Sequence, residues 1–495
     1  MAAPITKLRI GLQPDTPEEH TRLLINVNTE EAQTALKIST DLRVRANPAT
    51  AKIYYYNFDG SELLYTETID PGGNGSWDGE PGRASTAQYE FIFNGWSTET
   101  DQTEATEGAR DDVYTTRKVY AAYSRRSISG FLMFAAASVF RVLSNRDLKS
   151  WNGSLFYSTD AISWQEWDGV NAIVSAQDRG EHHVYIRGAG NSKITAQNSG
   201  GEFVVYAGTT GTTAINFRVE GNVESLLDFE AAAAGEHPIM AGACFARLFS
   251  GCTGLTEAPE LPATTLANSC YSSMFSGCTG LTEAPELPAT TLANSCYSLM
   301  FSGCTGLTEA PELPATTLAQ HCYERMFMSC TGLTEAPELP ATVIQSYAYQ
   351  YMFQGCTALA TPPELPATTL GYSCYALMFS GCTGLTQVPE LPATTLAIAC
   401  YSQMFSGCTG LTQVPELPAT TLAQNCYSLM FSGCSGIKLS ETQVDEYTIP
   451  YRIPSSGSGV DATNALRGMF TDTGGTFTGT PEINTAYYLA PPAST

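Results

Sequence analysis

The feature that most constrains this chain is a repeat of 26 residues: Cys252-Thr-Gly-Leu-Thr-Glu-Ala-Pro-Glu-Leu-Pro-Ala-Thr-Thr-Leu-Ala-Asn-Ser-Cys-Tyr-Ser-Ser-Met-Phe-Ser-Gly277 returns with small changes. Seven turns start at Cys252, Cys278, Cys304, Cys330, Cys356, Cys382 and Cys408, and Cys434 opens an eighth that loses the pattern after Lys438. A period of this size marks a quasi-one-dimensional array in which no unit covers its own apolar side, so stacking is obligatory. Fading of the pattern at Lys438 is how a terminal unit facing solvent behaves.

Within most turns Leu-Thr-x-Ala/Val-Pro-x-Leu is expected to be extended, with successive turns paired in parallel about 4.8 Å apart. Its proline removes one donor per turn, which predicts a short ladder with Pro259 at a strand end or an irregular position. The other half, Cys-Tyr-x-x-Met-Phe-x-x-Cys, is expected to form a short helical turn whose Tyr, Met, Phe and Cys divide between core and surface.

All 15 cysteines fall in two columns of this register. Cys244, Cys270, Cys296, Cys322, Cys374, Cys400 and Cys426 form one, and Cys252 through Cys434 form the other. Ala348 replaces a cysteine in a turn that keeps Cys330 and Cys356, so an obligatory bridge in every turn would leave a thiol unpaired there. The expected state is a buried ladder of free thiols packed as small hydrophobes. Zinc is not expected, because the spacing alternates eight and eighteen residues with no CxxC pair and no histidine column.

At Met274-Phe275-Ser276-Gly277-Cys278-Thr279-Gly280-Leu281 the chain resembles the A-F-x-G-C-x-x-L core of BspA-type leucine-rich repeats, found in surface and phage proteins of gut and oral Bacteroidetes and related organisms. The likeness covers roughly residues 240 to 440 and implies a curved right-handed solenoid used for adhesion. Met stands where that family usually has Ala, and the period is longer than usual; both change the diameter more than the class.

Upstream, Tyr54-Tyr55-Tyr56, Tyr89-Glu90-Phe91-Ile92-Phe93-Asn94-Gly95-Trp96 and Val119-Tyr120-Ala121-Ala122-Tyr123 alternate aromatics between Gly and Pro, predicting four or five strands. Their F-x-G-W … V-Y-A-x-Y skeleton is similar to the internalin B-repeat, a ubiquitin-like β-grasp module of surface proteins. Gly130 to Phe140 is the most apolar window, too short for a membrane span and expected to be buried strand or short core helix.

The fold class expected is therefore mainly β: a leucine-rich-repeat solenoid of 26-residue repeats preceded by small β-grasp-like and β-sandwich-like domains. The division is 1–46, an N-terminal attachment region; 47–126, the internalin-like module; 127–240, a β-sandwich-like cap ending in an alanine-rich lead-in at Ala231 to Ala234; 241–440, the solenoid; and 441–495, a degenerate capping coil in which Met469-Phe470 echoes the repeat.

Charge narrows the partners. With 25 basic and 49 acidic residues and a formal net charge of -24, the field repels phosphate backbones and anionic headgroups, so neither nucleic acid nor membrane insertion is expected. The start has no basic region followed by an apolar run, which predicts first appearance in a cytoplasm.

Signatures of catalysis are missing: there is no GxSxG, HExxH, Walker loop or glycine fingerprint, and no catalytic, cofactor or metal residue is assigned. Ser158-Thr159-Asp160-Ala161-Ile162-Ser163-Trp164 resembles a sialidase Asp-box but is single, one residue short and without its central glycine, and so reads as a packed hairpin. His182 and His183 are adjacent, and neighbours on a strand point to opposite faces, against a shared ion. A glycosidase needs only two carboxylates, but nothing in the spacing selects a pair.

Two sets of columns face outward in this register. Glu260, Glu286, Glu312, Glu338, Glu364, Glu390 and Glu416 recur in every turn. Their stacked charge serves either as a soluble edge that resists aggregation or as a site for divalent cations or a basic partner. Variation gathers at Asn268-Ser269, Gln320-His321, Glu324-Arg325, Gln350-Tyr351 and Tyr372-Ser373. This surface is either ligand-facing, with Asn268, Ser269, Gln320, His321, Arg325, Gln350, Tyr351 and Tyr372 as candidates, or unconstrained solvent face.

The function expected is that of a non-enzymatic phage virion protein, fibre or capsid decoration, that displays the solenoid to the bacterial host. Its partners are other virion proteins through the N-terminal region and a host-surface glycan or protein. The oligomer is left open: virion fibres are commonly trimers, but no heptad repeat here argues for three strands. The alternatives are a bacterial cell-surface adhesin, for which Ala490 to Thr495 offers no sorting tail, and, more remotely, a polysaccharide-degrading enzyme.

Overall fold

The computed structural model describes residues 50–491 except 80, 82–88, 101, 103–104, 108, 112, 114–116, 128–129, 145–149, 162, 179, 196–201 and 208–213. The attachment region expected at 1–46 lies outside the described residues. Strands dominate and helix is nearly absent, so the chain is mainly β. Its contacts divide it into two bodies, 1–83 with 92–124, and 84–91 with 125–495.

In the first body β1 (Ala51–Tyr56), β2 (Leu63–Ile69), β3 (Tyr89–Ser97) and β4 (Arg117–Ser127) form one sheet of order β2-β1-β4-β3. β1 and β2 are antiparallel, whereas β1 and β4 run parallel. Alternation in β1 buries Ala51, Ile53 and Tyr55 on one face. The Tyr55 ring lies 4.8 Å from Trp96 and 4.9 Å from Trp77, both edge-on.

The second body begins with β5 (Leu132–Ala136), in which every residue is buried, as a strand covered on both faces requires. β6 (Arg141–Ser144), β7 (Ser154–Ser158), β8 (Gln165–Glu166), β9 (Ile173–Val174), β10 (Ala176–Asp178), β11 (Glu181–Ala189), β12 (Phe203–Tyr206) and β13 (Phe217–Glu220) follow. A seven-stranded sheet runs β14-β13-β5-β11-β7-β8 with β10 beside β11, and its last member, β14 (Leu255–Glu257), belongs to the first repeat. A second sheet of order β12-β6-β9 shares the core, where Phe134 and Phe203 meet edge to face at 5.6 Å. The alanine-rich lead-in is the short helix α1 (Phe229–Ala233), whose first N–H groups are capped by Asp228.

One hydrophobic cluster then continues without a break from Leu132 to Leu489. The expected boundary between cap and repeats is therefore bridged: β13 pairs in parallel with β14 and gives the first repeat a template on which to stack.

How the repeats join differs from the expectation. The proline-containing half forms little ladder: beyond β14, it contributes the isolated bridge Glu309↔Glu335. Two-residue β15 (Val343–Ile344) and β16 (Thr369–Leu370), like the bridge Thr265↔Thr291, lie farther along the turn. Two prolines per turn, as at Pro259 and Pro262, remove the donors that a continuous ladder needs.

The joining bonds run instead through the segment expected to be a helical turn. Ser269, Tyr271, Ser273, Phe275 and Gly277 donate their N–H to the carbonyls of Asn294, Cys296, Ser298, Met300 and Ser302, at 2.8–3.0 Å. Cys270, Ser272, Met274, Ser276 and Cys278 donate to the carbonyl three residues back along the chain, at 3.0–3.2 Å. Every donor in the segment is thus paired, as burial demands. No helix forms, because Ser269, Ser273 and Gly277 take positive φ of 56°, 56° and 76° and turn the chain every fourth residue.

Side chains follow from that path. Cys270, Tyr271, Met274, Phe275 and Cys278 are all fully buried, which corrects the expected division between core and surface. Rings stack from repeat to repeat: Tyr271 on Tyr297 at 5.9 Å, and Phe275 on Phe301 at 5.7 Å. The phenylalanine stack ends at Phe470, 5.6 Å from Phe431, after an insertion that carries β17 (Leu439–Ser440) and β18 (Ile449–Arg452); β19 (Ala486–Leu489) completes their sheet.

All 15 cysteines are unpaired and buried. Thiols of the second column have a directional task, since Cys278 Sγ donates to Phe249 O and Cys304 Sγ to Phe275 O, both at 3.1 Å. The first column tolerates a smaller side chain, since Ala348 fills its place there with no exposure. Iodoacetamide at pH 8 is expected to label none of the thiols in the folded chain, and all 15 after denaturation. Mass spectrometry of the two samples counts them; several labels before unfolding would mean that the interior is open.

Candidate functional site

The forward hydrogen bonds bring side chains 25 and 26 residues apart onto neighbouring positions of the surface. His321 and Tyr347 hold the same positive-φ position in consecutive repeats, at φ 57° and 61°. Their N–H groups donate to Ser346 O at 3.2 Å and Tyr372 O at 2.9 Å. Their rings consequently stack, 4.4 Å apart and 12° from parallel, and Tyr372 meets Tyr347 edge-on at 5.1 Å.

The next positive-φ column builds a second contact beside the first. The Arg325 guanidinium sits 4.4 Å from the ring centre of Tyr351. Glu324 joins the two contacts, receiving His321 Nδ1 on Oε2 at 2.7 Å and the Arg325 guanidinium on Oε1. Tyr347 keeps its hydroxyl proton above the usual tyrosine range through desolvation first, then the charge of Tyr372 and a hydrogen bond to it.

Bulky residues at positive φ cost about 1 kcal/mol each, and the repeat does not need them. Equivalent positions hold Ser269, Ser295, Ser373, Ala399 and Asn425. The backbone shape belongs to the array, whereas the rings are particular to these repeats.

Of the eight candidate residues, His321, Arg325, Tyr351 and Tyr372 come together here, with Gln320 exposed and Gln350 half-buried alongside in sequence. Asn268 and Ser269 lie two repeats away and do not join them. Asn268 Oδ1 accepts Asn294 N–H at 3.1 Å, which gives it a bracing task between repeats. Tyr347 was not among the candidates and is the centre of the group; its signal is the break in a column otherwise filled by small or polar residues.

Glu260, Glu286, Glu312, Glu338, Glu364, Glu390 and Glu416 are all exposed. Shallow clefts open beside them, one lined by Pro337, Glu338, Pro363 and Glu364, another by Pro389, Glu390, Pro415 and Glu416. Among the described residues no group of three or more His, Cys, Asp or Glu is placed to hold a metal ion. His183 is buried on β11, and Asp160 accepts Ser163 N–H at 2.7 Å in the turn after β7.

A carboxylate that the sequence did not single out stands where the first repeat meets β13. Burial pushes Glu220 up to about 7, and the nearby charges of Glu257 and Glu260 add to the effect. One oxygen accepts Arg218 Nε at 2.6 Å, and that guanidinium also pairs with Glu181 at 2.5 Å, which makes the group a brace across the strands.

Among known protein families, curated proteins and solved structures, none matches this chain. Among the described residues no helix is long and apolar enough to cross a membrane.

Proposed function

We propose that the 26-residue repeats build a leucine-rich-repeat solenoid of the BspA type, and that the protein is a non-catalytic adhesin displaying it to a bacterial surface from a phage particle. The observation that carries this reading is the contrast between columns. Interior positions repeat almost unchanged, while part of the surface variation gathers in one group at His321, Tyr347, Arg325, Tyr351 and Tyr372, half-buried except for the exposed Tyr372. A rigid backbone that holds varied side chains in fixed relation is suited to recognition. Several copies on one particle turn weak contacts into avidity. The upstream sheet serves as a spacer module of the internalin type, and attachment falls to the N-terminal region.

The reading is tested by incubating the fluorescently labelled full chain with a panel of intestinal and oral bacteria. Saturable binding to some strains and not others is expected, and no binding to any strain would overturn it. Mass spectrometry of purified phage particles and envelope fractions from the same culture locates the bearer. Peptides in particles support the virion assignment; peptides in envelopes alone would transfer the adhesin to the cell surface.

A further inference from the structure

We infer that the His321–Tyr347–Tyr372 group is a carbohydrate site that takes a neutral polysaccharide laid across consecutive repeats. The inference rests on the adhesion reading and names its ligand class. Three rings contributed by three successive repeats sit at 4.4 Å and 5.1 Å spacings, and Tyr372 is 44% exposed. Sugar rings present apolar C–H faces that can lie against the exposed Tyr372 ring and along the edges of the stacked His321 and Tyr347 rings, with hydroxyls at their edges.

The edges of this group are polar in the way those hydroxyls need. Glu324 is held by His321 and Arg325, so its orientation is fixed before any ligand arrives. The remaining N–H groups of the Arg325 guanidinium and the Tyr347 and Tyr372 hydroxyls supply donors and acceptors around the rings.

Charge selects among glycans. Arg325 is neutralised by Glu324, and the chain as a whole carries a net charge of -24. An anionic polymer meets repulsion here, and a neutral one does not.

The neighbouring repeats supply replacements that this backbone already accommodates. Ser occupies the column of His321 and Tyr347, and Asn occupies that of Tyr372, so the test variant is His321→Ser, Tyr347→Ser, Tyr372→Asn in the full chain. Thiol protection confirms its folding, and Tyr65→Ser in the first body is the control. Cells of a binding strain are used before and after mild periodate, which cleaves vicinal diols.

Binding is expected to disappear with periodate and to weaken about thirtyfold or more in the triple variant, at roughly threefold to tenfold per ring contact. The control variant should bind as the parent does. Polysaccharide extracted from those cells should compete in the fraction that passes an anion exchanger and not in the retained fraction. Binding that survives periodate, an undiminished triple variant, or competition by the anionic fraction alone would each overturn the assignment of a neutral polysaccharide to this group while leaving adhesion standing. Failure of the parent chain to bind any cell would remove both.

Discussion

Raising the pH should unfold the repeats abruptly between about pH 9 and 10, well before an ordinary β protein fails. The cause is the thiol ladder. Burial pushes the thiols up to about 12 at Cys252, Cys296, Cys304, Cys374, Cys382 and Cys434, and well above the usual thiol range at Cys270 and Cys278, where neighbouring thiols add to the effect. In the unfolded chain each returns to about 8.5. A group whose folded value lies above its unfolded one gives full stability below the unfolded value and loses it as the pH climbs.

The loss approaches about 1.4 kcal/mol per thiol for each pH unit above 8.5. Fifteen such thiols give on the order of 20 kcal/mol by pH 9.5. Even a stable domain holds only about 5–15 kcal/mol. The buried tyrosines, Tyr271 and Tyr297 among them, are raised by burial first and extend the same trend above pH 10. Circular dichroism during an alkaline titration would show the collapse, with tyrosinate absorbance rising at the same pH. A chain still folded at pH 11 would contradict a dry interior. Replacing first-column cysteines by alanine, as Ala348 already does, should move the midpoint upward.

Much of this interior is legible in the sequence, because a strict period converts sequence into columns. The thiol columns, the tolerance of alanine at 348 and the echo of the repeat at Met469-Phe470 all follow from register alone. The path of the backbone does not. Serine and leucine take positive φ at Ser269 and Leu299, where the usual marker of that conformation, glycine, is absent. Only the third position, at Gly277 and Gly303, carries it. Without the first two, Cys-Tyr-x-x-Met-Phe mimics helical spacing.

The same hidden geometry governs the surface group. Columns 26 apart are visible, so His321 and Tyr347 could be aligned; Tyr347 and Tyr372 are 25 apart and meet only because each N–H reaches one residue short of its equivalent in the next repeat. The ion pairs of Glu324 depend on that path as well.

Phe327→Ala should divide the array in two. Phe327 is fully buried in mid-stack, 5.7 Å from Phe301 and 5.6 Å from Phe353, each nearly parallel to it. Removing a buried phenylalanine costs about 3–5 kcal/mol, and the cavity cannot close freely, because hydrogen bonds from Phe327 N–H to Met352 O at 2.9 Å and from Cys356 Sγ to Phe327 O at 3.1 Å tie its backbone to the chain that follows. In an array coupled only to its neighbours, the weakened junction separates two segments that each retain their internal contacts. The segment continuous with the β5 sheet keeps a second source of stability, whereas the other keeps only the three-stranded sheet at Ile449–Arg452. Urea denaturation followed by hydrogen exchange should therefore change from one transition to two, with the residues after Phe353 opening first. A single transition shifted to lower urea would show that stability is shared along the whole stack, and that the repeats fold as one cooperative body.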